Sequence, residues 1–262
     1  MSASDPKVTF TQDGSLGTIT LRNPPMNQIG EELIADLIAV IDRVEQAQGL
    51  RVLVVKGDGQ VFSAGAEVDL FVGRGADEMR PLIASFLDLG SRIEALPFPT
   101  LAVAHGTCMA GGFELALFCD LIWAAEGTVV GLPESSLGIV PLAGGIERVA
   151  ARAGLGRARS IVLSGGLHTA EEFAAWGVID RVLPAAELEQ KAERFAQKLA
   201  AGPTLAYAAI KDIAAAYVRA GIPGADERLL DAAVGLFDTA DAQAGIKSFL
   251  ESGPGHAVYH GE

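Results

Sequence analysis

The apolar positions along the chain alternate between two periods. Lys7 to Gln12 and Leu16 to Arg22 flank Asp13-Gly14-Ser15, a turn signal, and predict a hairpin that Asn23-Pro24-Pro25 ends. From Glu31 to Gln48, Leu33, Ile34, Leu37, Ile38, Ile41 and Val44 recur at helical spacing. Arg51 to Lys56 is a mostly β-branched run and predicts a buried strand, stopped by Gly57-Asp58-Gly59. A loop over Val61 to Glu67 leads to short helical segments, and Glu78 to Leu96 predicts a longer helix that Pro97 and Pro99 end. Leu101 to Ala104 is another strand, Gly111 and Gly112 open a helix to about Phe118, and Leu121 to Ala125 and Val129-Val130 are strands again. Strand and helix alternating in this way predict an α/β core with parallel pairing.

After Pro141 the pattern turns helical. Thr169 with Glu172 makes a capping-box start, and Val178 to Val182 is a last short strand. Pro184 to Ala201, Thr204 to Arg219, Asp226 to Asp238 and Asp241 to Glu251 predict helices. Several of their apolar faces have no partner within the chain, which predicts packing on a neighbouring subunit.

Composition narrows the class. Half of the 262 residues are hydrophobic, enough for a large core in a single α/β domain with a helical extension. No apolar run reaches the roughly 18 residues of a membrane span, and Met1 to Val8 lacks the basic-then-apolar order of a secretory signal. The two cysteines, Cys108 and Cys119, form no CxxC pair and point to a reduced, cytoplasmic compartment with both thiols in the core. A net charge of −13 argues against a nucleic-acid or anionic-membrane surface. His168, His256 and His260 show no metal-ligand spacing and are read as surface residues, and His105 as structural, so no metal site is expected.

Three stretches carry candidate chemistry. Phe62 to Asp69 follows a buried strand and turns at Gly65 into a helix start, with small residues that let a ligand approach the backbone. His105 to Asp120 ends a strand, opens an apolar helix with paired glycines and sets one carboxylate, Glu114, in its first turn. A carboxylate among apolar neighbours is costly to bury unless it has a partner or a task. Between Gly127 and Ile146 the one charged residue is Glu134, which follows a proline and precedes a Gly- and Pro-rich apolar loop.

Together these stretches resemble the enoyl-CoA hydratase/isomerase (crotonase) family. The matching parts are Ser63 to Glu67, Ala110 to Ala116 with Cys119-Asp120, Pro133-Glu134 with Leu137-Gly138, Pro141 and Gly144-Gly145, and Gly177 to Val182. The resemblance implies a crotonase (ClpP/crotonase-like) fold: a core of repeated ββα units over residues 1–200 and a C-terminal helical region, 201–262, at the subunit interface of a homotrimer or a hexamer. It implies an oxyanion hole from the amides of Ala66 and Gly111, and Glu114 and Glu134 as catalytic carboxylates sharing a water. Coenzyme A would lie along Ala64, Ala66, Glu67 and Val68, with Arg22 and Lys247 as candidate basic contacts. Phe71, Met79 to Leu96, and Leu142 would shape the acyl pocket. The substrate implied is an acyl-CoA thioester, with no separate cofactor.

The resemblance has departures. Leu142 stands where hydratases often have a glycine whose amide helps position the water, and Ser252-Gly253 replaces a usual basic pair. Both carboxylates being present favours addition of water to a 2-enoyl-CoA; Leu142 leans towards double-bond isomerisation, the alternative. Binding of RNA through Lys-rich helices, seen in some relatives, is disfavoured by the acidic charge, and Ser63 and Ser135 have no histidine placed to make a peptidase.

Overall fold

The computed structural model describes residues 6–262, so the start of the segment read from Met1 lies outside the described residues. The hairpin forms as read: β1 (Val8–Asp13) pairs antiparallel with β2 (Leu16–Leu21), closing at Asp13 and Leu16 around Gly14, whose φ is +55°. β3 (Val52–Gly57), β4 (Thr100–Ala104), β6 (Leu121–Ala125) and β9 (Arg181–Leu183) then add in parallel, giving one six-stranded sheet in the order β1-β2-β3-β4-β6-β9.

Both faces of the sheet are covered, which is why β3 reads as an unbroken apolar run. Leu53 and Val55 face a core shared with α1 (Glu31–Gln46), α2 (Ala76–Ala95) and α3 (Gly111–Leu117). Val52 and Val54 face the other way, into a smaller cluster under α7 (Ala185–Ala200), where Trp123 stacks on Phe195 with ring centroids 4.6 Å apart.

A second sheet of three strands joins β5 (Thr107–Met109), β7 (Val129–Gly131) and β8 (Leu167–Thr169). Ser63 extends it through a bridge to Cys108. Each of β3, β4 and β6 is thus followed by a short strand segment of this sheet and then a helix, the repeated ββα unit. Because β3, β4 and β6 are parallel, their outgoing loops gather at one end of the large sheet, where ligands of such sheets bind.

The last third departs from its sequence reading in one place. The expected strand Val178 to Val182 pairs only from Arg181. Val178 turns back under α6 (Ala170–Ala175), its amide donating to Phe173 O, and Asp180 spends its carboxylate on the Ile122 amide. His168 is half-buried at the surface, edge-on to Trp176 at 4.8 Å. The capping box at Thr169 forms as read. Helices α4 (Gly145–Ala153) and α5 (Leu155–Ser164) cross the end of the core. α8 (Thr204–Leu236) is one run broken at Gly221 (φ 66°), so the two helices read there are the two halves of it, and α9 (Ala240–Ser252) follows. Lys211 pins α8 to the core by pairing with Asp120 at 2.7 Å and donating to Phe98 O.

One glycine in α2 is set by close approach. A Cβ on Gly90 would lie 2.4 Å from the Phe118 ring, and Phe118 in turn supports Phe86 edge-on at 5.6 Å. Gly90→Ala is therefore expected to lower stability by about 1–3 kcal/mol through overpacking, read as a shift in the urea midpoint.

Candidate active site

The site lies where the three outgoing loops meet. The first loop is tied to the second by Ser63 N to Thr107 O at 3.0 Å and Met109 N to Ser63 O at 3.2 Å, and the second to the third by Ala110 N to Gly131 O at 2.9 Å. Asn27 braces the first loop from below. Buried and at φ 47°, it donates through Nδ2 to Asp58 O, Val61 O and Phe62 O, and its own carbonyl accepts from Ser63 Oγ. Asn tolerates this left-handed backbone better than most residues. Asn27 was missed in the sequence, where its one legible signal was its place just after the Pro24-Pro25 turn.

Two backbone amides lie close together at the junction. Ile29 N donates to Gly65 O at 2.8 Å and Glu67 N to Ile29 O at 3.1 Å, so the residue between them, Ala66, turns its own N–H away from this bridge. Gly111 is the first residue of α3, whose N–H has no acceptor within the helix. A Cβ built on Gly111 would lie 3.9 Å from Ala66 N, so the two groups are neighbours. The preceding Ala110 takes an unfavourable backbone (φ 49°, ψ −133°), a strain of order 1–3 kcal/mol of the kind found at functional sites.

These amides border a cavity of about 220 Å³. Of the residues singled out in the sequence, Ala64, Ala66, Val68, Phe71, Gly111, Glu114, Glu134 and Leu142 line it. Met79, Leu82, Ile83 and Phe86 of α2 and Ile29, Ile34 and Ile139 complete a wall that is almost wholly apolar. Three expected residues lie outside the wall. Glu67 accepts from Asn23 Nδ2 at 3.3 Å, Arg22 pairs with Asp58 at 3.1 Å in the open, and Lys247 is exposed on α9.

The two glutamates differ in their surroundings. Glu114 is 2 % exposed, and its Oε1 accepts from Ala143 N at 2.7 Å and Gly145 N at 2.9 Å. Burial raises its pKa above the ordinary value, while the amides of Gly145, Ala143 and Leu142 pull it back down. Glu134 is 7 % exposed, and neither of its carboxylate oxygens has a hydrogen-bond partner. Burial, with a smaller push from the Glu114 charge, lifts its pKa to about 7. The two N–H groups at Glu114 favour a charge there, and Glu134 has no such donors, so hydrogen bonding biases a shared proton towards Glu134. The amides of Ala143 and Gly145 were not foreseen as partners of Glu114; the paired glycines at 144 and 145 were their only trace in the sequence.

The sequence profile described as enoyl-CoA hydratase/isomerase matches residues 11–257. The chain belongs to the enoyl-CoA hydratase/isomerase family. It is 30% identical over 246 residues to a probable enoyl-CoA hydratase of Bacillus subtilis, covering 93% of this chain and 95% of that protein. It is 35% identical over 205 residues to a carnitinyl-CoA dehydratase of Escherichia coli, covering 78% of each. An enoyl-CoA hydratase structure from Bacillus anthracis superposes with a TM-score of 0.91 at 27% identity, over 98% of this chain and 100% of that one. The fold is accordingly the crotonase fold, and the chain is an enzyme of the enoyl-CoA hydratase/isomerase family. Both buried thiols, Cys108 and Cys119, are raised in pKa by burial and are not available as thiolates for its chemistry.

The unpartnered Glu134 has a consequence for stability. Its folded-state pKa of about 7 lies above the ordinary 4.5, so the folded protein keeps a proton that the unfolded chain releases. Its contribution to stability is fully present below about pH 4.5 and is lost as pH rises through about 7. Glu134→Gln is therefore expected to gain on the order of 2 kcal/mol relative to wild type between pH 5 and pH 8, measured by urea denaturation at both pH values.

Proposed function

We propose that this family member is an enoyl-CoA hydratase that adds water across the double bond of a 2-enoyl-CoA thioester. The observation that supports this reading best is the unequal carboxylate pair in one apolar cavity: Glu114 held by amides, Glu134 without a partner. In the proposed reaction Glu114 takes a proton from water as its oxygen bonds to Cβ. The π electrons of the double bond move onto the thioester as an enolate, which the N–H groups of Ala66 and Gly111 receive. Glu134 then delivers its proton to Cα. Each proton transfer contributes about 10²–10⁴-fold, and backbone donors already in place receive the oxyanion without reorganisation.

In this reading coenzyme A runs past Ala64, Ala66 and Val68, which line the cavity, and Glu67 lies beside that path. Arg22 and Lys247, outside the wall, are proposed only for its distal phosphates. The acyl group meets Phe71, Phe86 and the other apolar side chains of α2, which suits a hydrocarbon. No other cofactor is proposed. A specific observation favours isomerisation as a second reading: Leu142 lines the same cavity, and a leucine there leaves less room for a water than a glycine would.

We also propose that the chain works as a trimer or a dimer of trimers through residues 201–262. Ile210, Val218, Leu230, Val234, Phe249 and Leu250 on α8 and α9 are exposed, an apolar surface suited to burial by another subunit. No helix among the described residues is long and apolar enough to cross a membrane. A cytoplasmic setting remains part of the proposal.

Incubating the protein with crotonyl-CoA and with a 3-enoyl-CoA and identifying the products tests the reaction. A 3-hydroxyacyl product is expected; its absence over a range of 2-enoyl chains, with conversion of the 3-enoyl thioester, would establish the isomerase reading instead. Glu114→Gln and Glu134→Gln are each expected to lower turnover at least about 10²-fold with the fold intact by circular dichroism. Light scattering is expected to give a trimer or hexamer mass, and a monomer would refute the proposed interface.

A further inference from the structure

Arg148 sits in the first turns of α4, just past the loop whose amides hold Glu114. Its side chain is only 16% exposed, and its guanidinium is engaged on every side. Nε and Nη2 donate to the two carboxylate oxygens of Glu94 on α2 at 2.7 and 2.9 Å. Nη1 donates to Ala143 O at 3.1 Å and Gly144 O at 3.3 Å. Its flat face lies over the Phe118 ring, 4.8 Å from the centroid. One side chain therefore ties the loop to α2 and to the end of α3.

The geometry of the peptide bond connects this clamp to the carboxylate. Gly144 O and Gly145 N–H belong to one planar trans unit and point in opposite directions. Gly144 O also accepts the Arg148 backbone N–H at 3.2 Å, the first bond of α4, and the guanidinium adds a second donor that helps set where Gly145 N–H points, which is at Glu114 Oε1. The loop has little restraint of its own: Gly144 holds a φ of +85°, and a Cβ on Gly145 would crowd Glu114 at 3.1 Å, so both positions suit bare glycine. The guanidinium charge itself is matched by Glu94 rather than by Glu114.

We propose that Arg148 is a positioning residue for the reaction, orienting the Gly145 amide and steadying the loop that carries the Ala143 amide, so that Glu114 is held as the ionised base. The inference rests on the reading of Glu114 as an acid–base group. The charged or titratable groups that bear on Glu114 are Glu134 across the cavity and Glu147 on α4; both oppose its ionisation, so the amides are what favours it.

The test is the pH–rate profile of the purified full chain on whichever enoyl thioester the wild type converts, for Arg148→Gln, Arg148→Lys and Glu94→Gln, with Glu114→Gln as reference. Arg92→Gln serves as control, since it breaks a similar fork from α2 to Asp42 and Glu45 on the far side of the helix. Arg148→Gln is expected to lower kcat about 10- to 100-fold with KM within about threefold, as misplacement of a reacting group does. The acidic limb of kcat is expected to move up by about one pH unit, because a carboxylate that loses amide donors is harder to ionise. Arg148→Lys should recover part of both effects, and Arg92→Gln should lower the thermal midpoint without moving the limb. A folded Arg148→Gln with an unmoved limb and kcat within about threefold of wild type overturns the inference. If that variant does not fold, unmoved limbs in both Arg148→Lys and Glu94→Gln overturn it equally. Wild-type turnover by Glu114→Gln would remove the reading and the inference together; an inactive Glu114→Gln beside unaffected Arg148 variants would remove the inference alone.

Discussion

A carboxylate buried in an apolar wall must be compensated, and Glu114 is compensated by backbone. Its Oε1 takes the amides of Ala143 and Gly145, not a lysine or an arginine. A charged partner would have neutralised it with a full counter-charge in the cavity. Amides instead favour the anion while leaving no mobile counter-charge in the cavity. Much of the local structure follows from that choice. The 141–145 loop must run close against α3, glycine must stand at 145, and the loop must be held from outside by the Arg148–Glu94 pair.

The same constraint explains the contrast with Glu134. Buried nearby with no partner for either oxygen, it keeps its proton to about pH 7. Burial raises the pKa of both glutamates, and only Glu114 has backbone amides that oppose that rise. The remaining wall of Ile, Leu, Met and Phe side chains supplies the low dielectric that makes those few bonds count.

The scaffold delivers these groups by parallel register. β3, β4 and β6 lie side by side, so loops far apart in the chain leave the sheet at one end. The short strands β5 and β7 and the bridge at Ser63 then fix the spacing between those loops to within a hydrogen bond. Strain is concentrated where it aims a group: Ala110 carries an unfavourable φ immediately before Gly111. The helical end is attached more loosely, through Lys211 to Asp120 and Arg51 to Gly202 O and Tyr259 O, and leaves its apolar residues outward.

Long periodic segments were legible because their period is local. The hairpin, α1, β3, α7 and the break near Gly221 all follow from spacing and turn residues in the chain. The resemblance of Ser63 to Glu67, Ala110 to Ala116 and Pro133-Glu134 to one family also selected Glu114, Glu134, Ala66 and Gly111, and the fold brings all four to one cavity. β5 and β8, at three residues each, were too short to show a period. Val178 and Ile179 read as strand but pack under Phe173, because burial is all that an apolar run specifies. Arg22 and Lys247 come from the resemblance, and the fold sets both on the surface outside the cavity wall, a place that charge alone does not tell. The sequence by itself determined the elements and the residue types available for chemistry. Only the tertiary structure decided which amides meet Glu114, that Glu134 meets none, and that Arg148 ties the loop to Glu94 on α2, because the contacts to Glu114 and Glu94 join residues tens of positions apart whose geometry no local pattern encodes.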